Sequence, residues 1–105
     1  MKTKKRKPYG SPAKFFEELM KDPEVRFYYQ EEKAKTDIAM AVRTARLKAH
    51  LTQAGLAKKI GTAQSVIARL ESGQDNRTPT LPLLARIAAT CGGQLELGFR
   101  FKPVG

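Results

Sequence analysis

The sequence is poor in the residues that most enzymes use. It has one histidine, His50, one cysteine, Cys91, and no tryptophan in 105 residues. A single cysteine cannot close an internal disulfide, which fits a reducing cytoplasm. Neither residue has neighbours at zinc-finger spacing, so no metal site is expected. There is no glycine-rich phosphate loop, and no motif groups a serine, a histidine and an aspartate. Neither an enzyme activity nor a cofactor is expected. Long apolar runs are missing as well. None approaches the roughly 20 residues needed to cross a bilayer, and no membrane partner is expected. The opening MKTKKRKPYG is basic but lacks the apolar stretch of a secretory signal. His50 falls where a helix should end and reads as a C-terminal cap residue. Cys91 falls on the apolar side of a helix and reads as a small core residue.

Acid is also scarce. Ten Asp and Glu face twenty Lys and Arg, giving a formal net charge of +10 and a pI near 10.1. Such an excess favours a polyanionic partner, bound largely through release of counterions from phosphates. An acidic protein or a membrane surface would also accept it. The length leaves room for one domain, or for one domain and a tail.

What is present centres on residues 51–80, LTQAGLAKKIGTAQSVIARLESGQDNRTPT. Thr52 can cap a first short helix that carries Leu56, Ala57 and Ile60 on one side. Gly61 supplies a left-handed stop, since it has no Cβ to clash. Thr62 is expected to cap a second helix running to about Glu71, with Val66, Ile67 and Leu70 inward. Ala63, Gln64, Ser65, Ala68 and Arg69 are left for its outer face. That face suits the major groove: Gln pairs a donor and an acceptor with adenine, Arg pairs two donors with guanine, and small residues permit close approach. An ordinary solvated helix pair would have the same spacing.

The run QAGLA-KKIG-TAQSVIARLESG resembles the XRE-type helix-turn-helix of the Cro/C1 phage repressors. The resemblance covers about residues 37–93. Gly55 departs from the family, which usually has a polar residue there; glycine within a helix costs about 0.5–1 kcal/mol relative to alanine. The resemblance implies a structural ion pair between Arg46 and Glu71. It also implies phosphate contacts from Asn76, Arg77 and Thr78 in the loop after the second helix; that loop would otherwise be plain surface.

Upstream, Lys2, Lys4, Lys5, Arg6 and Lys7 make residues 1–10 an expected disordered basic arm, either following phosphates or simply solubilising. Ser11 and Pro12 open a short helix with Phe15, Phe16, Leu19 and Met20 as its apolar stripe. Asp22-Pro23 starts another, with Val25, Phe27, Tyr28 and Tyr29. Asp37 can cap a helix from Ile38 to about Ala49, as a new element or as a continuation, with Ile38, Ala41, Val42, Ala45 and Ala49 recurring on one side. Thr80 caps a last helix to Cys91, with Leu81, Leu84, Ala85, Ile87 and Ala88 closing the core, and Gly92-Gly93 ends it. From Gln94 the period becomes two: Leu95, Leu97, Phe99 and Phe101 alternate with Glu96, Gly98, Arg100 and Lys102. That is the pattern of a strand. A lone strand needs a partner, either in a second copy, giving a homodimer, or in the sheet of another protein.

The expected architecture is all-α: a five-helix repressor-type domain over residues 37–93, a helical extension over 11–36 and a C-terminal strand and tail over 94–105. Dimerisation would set two recognition helices roughly 34–36 Å apart on a palindromic double-stranded operator. Gln64, Ser65 and Arg69 would read bases, Gln53 would hold phosphate and help orient Gln64, and Lys58 and Lys59 would add affinity. On the larger scale, a lead of the form DPEVRFYYQEE-K, a repressor domain and then G-G-x-L-E-L resembles the HigA-like antitoxins. These bind a RelE/HigB-type ribonuclease toxin and repress their own operon. The resemblance implies toxin contacts from Phe15, Phe16, Phe27, Tyr28 and Tyr29. The alternatives are a stand-alone repressor whose aromatic lead packs on its own domain, and a protein–protein adaptor.

Overall fold

A computed structural model of the chain describes residues 11–74 and 77–103. The basic arm over residues 1–10 and Asn76 lie outside the described residues. The described chain holds five α-helices: α1 (Pro12–Leu19), α2 (Pro23–Lys48), α3 (Gln53–Ile60), α4 (Gln64–Ser72) and α5 (Leu81–Thr90). It divides after Ala34 into two compact units.

In the first unit, Ser11 accepts from the Lys14 N–H and Pro12 holds the first helical position of α1, where a missing donor costs nothing. Asp22 accepts from the Glu24 N–H and so starts α2. The Arg26 guanidinium donates to the carbonyls of Met20 (2.8 Å) and Lys21 (3.2 Å), satisfying acceptors freed at the end of α1. Phe16 meets Tyr29 edge-on, with ring centroids 5.5 Å apart. No residue of α1 is buried.

Beyond Ala34, α2 continues without a break, so of the two possibilities for Asp37 the chain takes continuation. The inward stripe is centred on Val42: Ala39 and Val42 are buried, and Ile38, Ala45, Arg46 and Ala49 are half-buried at spacings of three and four. Ala41, expected inside, is exposed, because it lies off that stripe; on α5 Leu81 and Ala85, expected in the core, are exposed as well. His50, at φ 59°, is left-handed and follows the end of α2, as a C-terminal cap residue does.

α3 packs against α4 and α5. The core is Val42, Leu56, Ala57, Ile60, Ile67, Leu70 and Ile87, with Leu56 and Ile67 both at 0% exposure. Gly61 closes α3 at φ 79°. The Thr62 N–H then reaches back to the Ala57 carbonyl at 2.9 Å. This six-to-one bond closes α3. The expectation that Thr62 caps α4 is corrected, because α4 starts one residue later than expected. The capping position belongs to Ala63, which offers no side-chain acceptor.

Two further expectations need correction. The five helices include the extension, so the unit after Ala34 holds the end of α2 with α3, α4 and α5 and is not itself a five-helix domain. Residues 94–103 form no strand, because no second strand among the described residues pairs with them.

Candidate nucleic-acid interface

Thr52 fixes the start of α3 by accepting from the Gly55 N–H at 2.9 Å. Gln53 therefore sits at the first position of α3. Gln64 sits at the first position of α4, after the turn through Gly61. The turn brings these two N-terminal positions together: Gln64 Nε2 donates to Gln53 Oε1 at 2.9 Å.

Behind them lies the ion pair. Arg46 Nε donates to Glu71 Oε2 at 2.6 Å and its Nη2 to Oε1 at 2.9 Å, a two-point fork. Arg46 Nη1 also donates to the Leu51 carbonyl at 2.9 Å, so one guanidinium ties the end of α2, the following loop and the end of α4. The side chains are 11% and 4% exposed. Burial pushes the Glu71 carboxyl upward, but hydrogen bonds from Arg46 and Gln53 outweigh it and hold the group below its usual value. The bond to Glu71 holds Arg46 above its own. Burial raises the Cys91 thiol above its usual value.

An ionised carboxylate can only accept. Gln53 must therefore turn its NH2 toward Glu71, donating from Nε2 to Oε1 at 3.1 Å. Its carbonyl then faces Gln64, which must answer with its own NH2. Gln64 keeps one N–H and its carbonyl oxygen for whatever lies outside. That donor–acceptor pair is what the major-groove edge of adenine complements. The resemblance implies the Arg46–Glu71 pair, and the geometry contains it. The bond from Gln53 to Glu71 was not foreseen; a glutamine at a helix start and a glutamate near the end of the next helix are its only sequence signal.

Ala63, Gln64 and Ser65 are exposed together at the start of α4, while Ala68 and Arg69 are half-buried farther along it. Lys58 and Lys59 are exposed in the last turn of α3, where cations also offset the helix dipole. Arg77 and Thr78 are exposed beyond α4. Phe15, Phe16, Phe27, Tyr28 and Tyr29 are all exposed within the first unit, with Tyr28 at 65%. Leu97, Phe99 and Phe101 are exposed and Leu95 is half-buried. No group of three or more His, Cys, Asp or Glu able to hold a metal occurs among the described residues. No helix among them is long and apolar enough to cross a membrane.

A family model described as helix-turn-helix matches residues 42–97, which are 56 of the 105 residues. Comparison with curated proteins and with solved structures finds no match.

Proposed function

The chain belongs to the XRE-type helix-turn-helix family of DNA-binding transcriptional regulators, and from that premise we propose that it represses its own operon and neutralises a RelE/HigB-type ribonuclease toxin. The observation that carries the DNA half is the exposed start of α4, where Gln64 is held by Gln53 with its amide direction imposed by Glu71. Gln64, Ser65 and Arg69 read base edges, with Ala63 and Ala68 allowing close approach. Lys58, Lys59, Asn76, Arg77 and Thr78 hold phosphates and add affinity with little sequence information. Gln53 spends both ends of its amide on Glu71 and Gln64, which makes it first a positioning residue and only then a phosphate contact. Pairing of residues 94–103 between two copies gives a homodimer on a palindromic operator.

The toxin half is supported by the first unit. It carries Phe15, Phe16, Phe27, Tyr28 and Tyr29 on its surface, and the core around Leu56 and Ile67 is complete without them. Exposed aromatic side chains in this number suit a protein partner.

Footprinting on the promoter of its own operon tests the first half. A protected inverted repeat is expected, and Arg69→Ala should relax preference at one base pair per half-site by about 1–3 kcal/mol. Equal losses on every sequence would remove Arg69 from base reading. Co-purification with the product of the adjacent gene tests the second half, and its absence would leave a stand-alone repressor.

A further inference from the structure

We propose that residues 94–102 pair with the same residues of a second copy, antiparallel and centred on Gly98, so that Glu96 of each copy lies opposite Arg100 of the other. This rests on the homodimer named above and adds its register. Three observations converge on it. Leu97, Phe99 and Phe101 are 81%, 91% and 82% exposed, so nothing among the described residues covers them. The rings of Phe99 and Phe101 lie 6.4 Å apart, which puts two residues at i and i+2 on one side, as in a strand. A Cβ built on Gly98 meets nothing within 4 Å, so no described residue of the same chain requires glycine there.

The register follows from the pattern. An odd offset places apolar residues opposite charged ones and is excluded wherever one face is to be covered. Among the even offsets, pairing centred on Leu97 leaves Phe101 opposite Gly93, and pairing centred on Phe99 leaves Leu95 opposite Pro103. Pairing centred on Gly98 sets Leu95 against Phe101 and Leu97 against Phe99, twice each by symmetry. On the other face it sets Glu96 against Arg100 twice, with the two Gly98 residues at the axis. Every apolar residue gains an apolar partner and every acid a base, which is the arrangement that cross-strand pairs favour. The sheet of a different protein would have no need of this internal complementarity.

Two experiments on the full chain test the register. In a Cys91→Ser background, single cysteines at positions 97, 98 and 99 are oxidised in turn. Gly98→Cys should cross-link fastest, because only that position faces itself across the axis. Fastest linkage through Leu97→Cys or Phe99→Cys overturns the register and leaves the homodimer standing. Sedimentation equilibrium then follows the charges. Glu96→Arg should weaken the dimer about tenfold through two symmetric like-charge contacts, and adding Arg100→Glu should restore it to within about twofold. Failure of the double variant to recover also overturns the register. A monomeric wild-type chain that pairs only when a different protein is added would overturn both the register and the homodimer.

Discussion

The two units differ in what folding buries. After Ala34, eight apolar side chains are buried, from Ala39 to Ile87. Before it no described one is, although that stretch carries all five phenylalanine and tyrosine candidates for a protein contact, on just two helices. Helix in the first unit is held by end devices: the Ser11 and Asp22 caps, the Arg26 bonds to free carbonyls and the Phe16–Tyr29 edge. Helix in the second is held by exclusion of water from Leu56 and Ile67. Local devices of the first kind contribute about 1 kcal/mol each, while burying one leucine contributes about 1.5–3 kcal/mol. The first unit is therefore built as a surface and the second as a body.

The largest effects should follow that division. Arg46→Ala leaves the Glu71 carboxylate buried without its partner and should cost about 3–5 kcal/mol in denaturant unfolding. Leu56→Ala, at a site with no exposure, should cost about 2–5 kcal/mol. Phe27→Ala, at a site 59% exposed, should cost about 0.5 kcal/mol or less. A loss from Phe27→Ala as large as that from Leu56→Ala would break the comparison, since the first unit would then contain a core.

The converse holds for binding. If the proposed toxin is the partner, Phe27→Ala and Tyr28→Ala together should weaken its complex at least tenfold, as aromatic anchors of an interface do, with promoter affinity unchanged. Calorimetric titration with the purified toxin reads the first quantity and a gel shift the second. If promoter affinity falls in step, the aromatic residues serve the second unit and the two regions do not divide their labour.

Acid should act through the second unit. Glu71 holds its proton less tightly folded than unfolded, so its stabilisation is complete above the unfolded carboxylate value of about 4.3. It is lost as pH falls below that value toward the lowered folded one. The thermal midpoint of the wild type should drop more steeply between pH 5 and 3 (roughly the span of carboxylate titration) than that of Glu71→Gln. Parallel curves would remove Glu71 from the acid response.

Much of the second unit was legible because local chemistry and tertiary fate agree there. Thr52, Gly61 and Thr80 act in the structure as their types and positions predict, and Leu56, Ile60, Ile67 and Leu70 fall inward at helical spacing. Legibility fails where neighbouring residues could take one role. Thr62 is a good capping type, yet α4 begins one residue later than its type suggests, and the capping position falls to Ala63, which has no side-chain acceptor. It fails again at the C-terminal end: the alternation from Leu95 to Phe101 implies a strand, but no second strand occurs among the described residues to pair with it. The hydrogen-bonded order Arg46, Glu71, Gln53, Gln64 joins residues up to 25 positions apart in sequence. Spacing along one helix cannot announce such a chain, because its direction comes from the ionised carboxylate at its buried end.

The smallest effect sharpens the comparison by charge alone. Lys59 is exposed in the last turn of α3, in the unit that carries the recognition helix. Lys21 is exposed in the other unit and lies 3.1 Å from Glu18, in a pair whose surface setting makes it worth little. If only the second unit follows the duplex, Lys59→Ala should lower affinity equally for cognate and non-cognate DNA and reduce the slope of log affinity against log salt by about 1. Lys21→Ala should leave that slope where it was. Binding isotherms at four or five salt concentrations decide the matter. An equal change of slope in both variants would mean that the first unit also lies along phosphate, and that its aromatic surface is only part of what it presents.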